Sequence, residues 1–363
     1  MKIGIITKIG KNYGAILQAY ALKKKLYDLG HEAHIIKYTP EISVKSYRVC
    51  KFPWRFRGAL ANIKSAIHYK SHKKSTKRFL KFREKYFDFV GDYNNDVEIE
   101  ENPPQCDIYI TGSDQVWNPV ISFDKAFYCC FADKYTNSKK ASYAASIGLR
   151  EIPEHFREDF KLRVSGFDYI SVREEQAVKI LSEMGISANL APDPTLLLDK
   201  KDWHSISKSV IDSPYILCYF VSVPKGIDSI VKEIKKRLGL KVVNLMTTEE
   251  SAKIGDVRIR DAGPEEFLGL FEGASFVITS SFHGTVFSLI NQKPFVVTLY
   301  SQTSSRVTDL LYKFGLERRI LDTHCDNLEP YFDKVIYTQS FCDKLSELRC
   351  QGVEILKEIT GDK

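Results

Sequence analysis

The sequence predicts an α/β protein of two Rossmann-like domains facing across a cleft. Three observations predict it. The 363 residues exceed what one ordinary core organises and suit two domains. Short apolar, β-branched runs alternate with stretches whose apolar residues recur at helical spacing. That alternation breaks at a proline-marked join and then starts again.

The opening reads as a β-α-β unit. Ile3, Ile5 and Ile6 form a short buried strand, and the loop KIGKNYG follows. Ile16, Leu17, Tyr20, Ala21 and Leu26 then recur with helical period, Gly30 stops the helix, and HEAHIIKY is the next strand. A helix joining two strands implies a parallel crossover. Further strands are expected at 107–111, 141–145 and 168–172, with a helix over EEQAVKILSEMG. NLAPDPTLLL reads as a last strand breaking into a linker near 195–212, with Pro192 and Pro194 as punctuation. The second alternation runs from YILCYFV (215–221) through PFVVTL to a helical Arg306–Gly315 stretch. The expected domains are therefore 1–200 and 212–325, with a C-terminal helix within 340–363.

Composition narrows the class. With 44% hydrophobic and 27% charged residues the chain folds and stays in water. No apolar run reaches the roughly 20 residues that span a bilayer. MKIGIIT lacks the long apolar region and cleavage site of a signal peptide. The eight cysteines form no C-x-x-C pair, which argues against a zinc ribbon or redox motif. The expectation is a cytoplasmic protein with reduced thiols. Charge is concentrated. Residues 45–85 hold fourteen Lys and Arg against the single acid Glu84, a net +13 in a chain of +7, so the rest carries −6.

Five segments carry candidate chemistry. Asn12, Tyr13 and Gly14 sit where the first strand ends and a helix begins, the ligand-binding edge of an open α/β sheet. G-x-G-x-x-G is absent, so this is no dinucleotide fingerprint. TGSDQVWNP offers Ser113 and Asp114 in a flexible loop. Trp117 there can give a flat face for a sugar ring, and Asn118 an amide for its hydroxyls. The competing reading is an N-cap with a core tryptophan. Arg173 ends the strand 168–172 and can grip an anion beside a helix N-terminus, or pair with Glu174 or Glu175. In VITSSFHGTVFSL a buried strand stops at Ser280 and Ser281, and His283 with Gly284 opens an apolar helix. A histidine exposed there can donate to an anion or move a proton near neutral pH. Arg306 starts a later helix and is a second cation. The absence of H-E-x-x-H, the P-loop and G-x-S-x-G removes support for zincins, P-loop NTPases and α/β-hydrolases. No metal-ligand spacing is visible, and no metal is expected.

These pieces, in this order, resemble the polysaccharide pyruvyl transferase family. The carrying residues are NYGAILQAYAL, TGSDQVWNP, Ser171 with Arg173, APDPTLLL, SSFHGTVFSLI with KPFVVT, and Ser305-Arg306. The resemblance implies a GT-B-like pair of domains and phosphoenolpyruvate as donor substrate, with no separate cofactor. It implies that Arg173 and His283 hold the donor, with Arg306 as a further cation, while Ser281 and Gly284 are candidates from the turn that carries His283. The acceptor is then a sugar of a bacterial surface polysaccharide or its precursor, and Asp114 is the candidate base for its hydroxyl. The first loop, NYGAILQ, departs from the N-x-G-D-E-A-like loop of better-studied branches, and the basic segment maps onto no family pattern.

Two rival readings stand beside this one. A GT-B glycosyltransferase would share the fold but needs a base-stacking and ribose subsite. A non-catalytic polysaccharide- or nucleic-acid-binding protein would use the basic segment, where Tyr47, Phe52, Trp54, Phe56, Tyr69, Phe79 and Phe82 interleave with the cations. No nucleic acid partner is expected. The same segment is a candidate for peripheral contact with an anionic membrane, as a lipid-linked acceptor at the inner face would require.

Overall fold

The computed structural model describes residues 1–40, 59–135, 137–247, 249–299, 304–321, 328–332 and 337–362. Tyr47, Phe52, Trp54 and Phe56 of the basic segment lie outside the described residues. The chain divides into two compact units, one of residues 1–48, 83–198 and 346–363, the other of 49–82 and 199–345. The division departs from the linear one expected. Most of the basic segment groups with the second unit, and the chain's end returns to the first.

The first unit holds, among the described residues, seven parallel strands in the order β3-β2-β1-β4-β5-β6-β7. They are β1 (Lys2–Ile6), β2 (Glu32–Tyr38), β3 (Phe89–Tyr93), β4 (Ile108–Thr111), β5 (Lys139–Ala145), β6 (Tyr169–Val172) and β7 (Asn189–Leu190). The helices along this part of the chain are α1 (Tyr13–Asp28), α2 (Ala59–Tyr86), α3 (Asp96–Glu101), α4 (Glu154–Ser165) and α5 (Glu175–Glu183), of which α2 joins this unit only from Arg83 on. Ile3, Ile5, Ile6, Ile108 and Ile110 are wholly buried, as central strands covered on both faces must be. Strand order reverses between β1 and β4. Such a switch point opens a crevice at the carboxyl ends of the strands.

β5 is bulged. Its register against β6 shifts between Ser142 and Ala145, and the buried Ala144 takes φ +50°. Two hydroxyls stand in for the interrupted ladder. Ser142 Oγ donates to Ser171 O at 3.0 Å, Ser171 Oγ donates to Ser142 O at 2.8 Å, and Ser171 Oγ accepts Ala144 N–H at 3.1 Å. The bulge redirects the strand end just before Ser146.

The second unit has its own parallel sheet, β10-β9-β8-β11-β12. Its strands are β8 (Tyr215–Tyr219), β9 (Lys241–Leu245), β10 (Val257–Ile259), β11 (Phe276–Thr279) and β12 (Phe295–Val297). Its helices include α6 (Lys200–His204), α7 (Ile227–Leu238), α8 (Pro264–Gly273), α9 (Phe282–Ile290) and α10 (Ser304–Phe314). The order again reverses, here between β8 and β11. Helix α9 is apolar on nearly every side, and Phe287 packs edge-on against Trp203 and Phe267. Up to Phe82, α2 docks on this unit. Ser75 Oγ donates to Ala262 O at 3.0 Å, Arg78 Nη1 to Asp261 O at 2.8 Å, and Arg78 pairs with Glu266. A Cβ on Gly263 would lie 2.5 Å from that of Arg78, so glycine permits the approach.

The last helix, α11 (Gln339–Thr360), belongs to the first unit from residue 346 on. There Arg349 Nε donates to Leu196 O at 3.0 Å. Asp193, Pro194 and Thr195, expected in a strand and linker, instead form a buried 3-10 turn within the first unit. Among the described residues no helix is long and apolar enough to cross a membrane.

Candidate active site

In the first unit the expected residues converge on the carboxyl ends of β1, β4, β5 and β6. Asn12 caps α1: its side chain accepts Ala15 N–H at 3.1 Å from an extended backbone. Tyr13 and Gly14 are buried in the first turn. Thr7, fully buried after β1, donates to Ser113 O at 2.6 Å and accepts from Gln18 Nε2 at 3.0 Å. Gly112 permits this closeness, since a Cβ there would sit 3.0 Å from that of Thr7.

Asp114 occupies the left-handed region at φ +81° and accepts Gln115 N–H on Oδ1 at 2.8 Å. Its carbonyl accepts N–H bonds from Val116 and from Ser146. Lys8 lies in the same loop system and donates to Gln115 O at 2.6 Å. Burial lowers its pKa, with Asp114 and Asp124 pulling the other way. Burial also holds Lys11 down, to about 8.

Arg173 is buried and already engaged. Nη1 donates to Asp193 Oδ2 at 2.6 Å and to Ser113 Oγ at 3.2 Å, and Nε approaches Glu174 at 3.4 Å. Burial works against its charge, but Glu174, Asp193 and Asp114 outweigh that and raise its pKa. Asp193 Oδ1 accepts in turn from Thr195 N–H and Oγ1. Glu174, buried at the N-cap of α5, accepts from Ser146 Oγ. Ser146 is thus a junction. Its N–H donates to Asp114 O, its carbonyl accepts Trp117 N–H, and its hydroxyl meets Glu174.

Two expectations are corrected. Trp117 has no exposed surface. It stacks on Tyr128 with planes 8° apart, meets Phe167 edge-on, and donates Nε1–H to Phe127 O. It builds the core under the loop and offers no face to a sugar. Asn118 is buried and committed to Gln115 Oε1 and Val120 N–H, so it shapes the loop that follows.

The second unit gathers the other set. Ser281 caps α9, its Oγ accepting Gly284 N–H, while Thr279 Oγ1 donates to Tyr219 O at 2.7 Å. Gly284 serves close packing: a Cβ there would be 2.3 Å from Thr279 Oγ1. His283 is half-buried in the first turn, its ring edge-on to Phe282 at 5.2 Å. It stands at the switch point between β8 and β11, where α/β sheets bind ligands. Arg306 lies half-buried in the first turn of α10, beside α9. Among the described residues no three His, Cys, Asp or Glu side chains are gathered as metal ligands.

The family model for polysaccharide pyruvyl transferase matches residues 12–302, most of the chain. This chain belongs to the polysaccharide pyruvyl transferases. Membership makes it a transferase of polysaccharide biosynthesis. The matched span contains every residue assembled above except Thr7, Lys8, Lys11 and Arg306. No curated protein is similar enough to match. Solved structures resembling this pyruvyl transferase include S. aureus MnaA with UDP, at 15% identity and TM-score 0.54, covering 99% of this chain and 97% of that one. A putative UDP-N-acetylglucosamine 2-epimerase from Listeria monocytogenes matches at 13% identity and TM-score 0.53, over 98% and 97% of the two chains. The UDP-GlcNAc 2-epimerase of Neisseria meningitidis bound to UDP-GlcNAc matches at 11% and 0.54, over 99% of each. At such identities the likeness shows the fold, the GT-B-like one expected from sequence.

Sequence reasoning missed Thr7, Gln18, Ser146, Glu174 as a partner of Ser146, and Asp193. Asp193 did leave a signal: a lone acid between two prolines, followed by threonine, is typical of a capped turn.

Proposed function

We propose that this transferase moves the enolpyruvyl unit of phosphoenolpyruvate onto two hydroxyls of one sugar, giving a pyruvate ketal on a bacterial surface polysaccharide or its lipid-linked precursor at the inner face of the membrane. The observation that carries the reading is the family match over residues 12–302. The chemistry of the two residue sets supports it. Phosphoenolpyruvate presents a carboxylate and a phosphate, which call for cations and helix N-termini.

The methylene carbon takes a proton and becomes methyl, leaving cationic character on the adjacent carbon. One sugar hydroxyl bonds to that carbon and loses its proton, the carbon–oxygen bond to phosphate breaks, and a second hydroxyl closes the ketal. Of the two hydroxyl protons, one balances the new methyl hydrogen and the other leaves with phosphate. In this reading His283 binds the donor and moves the proton, with Arg306 as a further cation and Ser281 and Gly284 shaping the turn. Asp114 accepts the hydroxyl proton. Arg173, shared among Asp193, Glu174 and Ser113, contributes a fixed positive charge rather than a mobile fork. Asn12, Tyr13 and Gly14 line the acceptor side.

The test is incubation of purified protein with phosphoenolpyruvate and a panel of nucleotide- and lipid-linked sugars. Phosphate release that requires both substrates, with matching mass gain on the sugar, is expected. Release of nucleotide from a sugar nucleotide without consumption of phosphoenolpyruvate would assign the protein to the glycosyltransferases instead.

A further inference from the structure

Helix α2 has two opposed faces over its described side chains. Ser75, Thr76, Phe79 and Phe82 are buried, Phe79 at 1% and Phe82 at 2% exposure. On the opposite face Lys70, Lys73, Lys77 and Lys81 are all exposed. Their spacing of three, four and four residues keeps them on one stripe, about 16 Å long at 1.5 Å per residue. None of these lysines is ion-paired among the described residues. Lys74, just off the stripe, is tied to Asp261 at 2.6 Å. The helix is no loose arm, because Ser75 and Arg78 fasten it to Ala262, Asp261 and Glu266. The result is a straight row of ammonium groups on a rigid support, with Leu80 beside it at 39% exposure.

We infer that this row docks the protein on an anionic lipid bilayer. Two features favour lipid over nucleic acid. Phe79 and Phe82, which in the sequence suggest base stacking among lysines, are turned inward and can stack on nothing outside. The row also contains no arginine, the residue that grips phosphates and guanine edges bidentately. Compact lysine charges beside an exposed leucine suit a diffuse anionic plane, where each contributes additively within a Debye length. The −6 carried by the rest of the chain disfavours other faces. The inference goes beyond the transferase reading and does not depend on the identity of the donor.

The experiment is flotation of the full chain with vesicles of phosphatidylcholine alone and of phosphatidylcholine mixed with phosphatidylglycerol. Binding is expected only to the mixed vesicles, weakening at high salt. Changing Lys70, Lys73, Lys77 and Lys81 together to Gln should reduce it on the order of a hundredfold. A charge-matched control, Lys225, Lys232, Lys236 and Lys241 to Gln, should leave it within about twofold. Circular dichroism monitors the fold, and Lys73→Glu with Lys77→Glu serves as a smaller variant, expected to lose binding similarly. Equal binding to both vesicle types, no binding to either, or equal losses in the two fourfold variants would overturn the assignment. Binding to duplex DNA through the same four lysines, with none to mixed vesicles, would also overturn it and give the row to nucleic acid. None of these outcomes alters the phosphoenolpyruvate assay, so the two readings fail separately.

Discussion

Arg173 Nη1 stands 2.6 Å from Asp193 Oδ2, with both residues buried and twenty positions apart in sequence. The pair ties the end of β6 to the turn that leaves the first unit. A buried ion is stabilised by its partner, and removing one partner alone strands the other. Asp193→Ala should therefore destabilise the first unit by about 3–5 kcal/mol, read from the denaturant midpoint. Arg173→Leu combined with Asp193→Leu should cost less than the two single changes summed. Simple additivity would mean the pair does not act as a unit.

His283 tests the donor assignment. It is half-buried and at a helix start, so His283→Ala should fold normally. Loss of a charge-assisted contact is expected to weaken phosphoenolpyruvate binding by about 1.5–3 kcal/mol. Titration calorimetry showing wild-type affinity in the folded variant would remove this residue from the donor site.

Gly284 should prove sensitive for a different reason. The Cβ of Gly284→Ala would meet Thr279 Oγ1 at 2.3 Å, breaking that hydroxyl's bond to Tyr219 O or pushing α9 off the sheet. A loss of about 1–3 kcal/mol is expected, against about 1 kcal/mol for removing the cap in Ser281→Ala. Thermal unfolding ranks the two. Equal midpoints would show that the helix start yields more readily than its packing implies.

Asp114 combines a candidate chemical role with an unusual backbone. At φ +81° glycine is at ease, whereas a residue with a Cβ is strained by about 1–2 kcal/mol. Asp114→Gly should thus be more stable than Asp114→Ala, while both lose turnover alike if the carboxylate is the base. Turnover that follows stability instead would assign the aspartate to loop geometry.

Lys11 gives a pH dependence with a definite sign. Burial moves it from 10.5 to about 8, so between those values the unfolded chain keeps a proton that the folded chain has released. Stability then rises with pH across that window. The advantage of wild type over Lys11→Met in thermal unfolding should grow between these limits. A flat difference would mean the ammonium is well solvated.

Much of both sheets was legible because their central strands are short, mainly apolar runs bounded by turn residues. β3 was not. Its sequence, FVGDY, contains Gly91 at φ +64° and an acid, which interrupt any two-residue alternation. β10, three residues with two exposed, is shorter than any periodic signal. At the site, strand ends were readable from local spacing. Partners across the sheet were not, since nothing local links Ser146 to Glu174 or Arg173 to Asp193. Trp117 was open to two readings because a loop does not reveal which way it faces. Phe123, Phe127, Tyr128 and Phe131 just downstream were the hint that an aromatic core awaited it.

The bulge in β5 makes one further point about tolerance to change. Most sheet ladders are written in backbone and accept nearly any side chain that fits. Here two hydroxyls complete the ladder for each other, so neither serine can be exchanged alone without stranding its partner's polar groups. A saturation library should find Ser142 and Ser171 among the least permissive buried positions of the first unit, although neither has been given a part in the chemistry. Surviving variants should come in pairs.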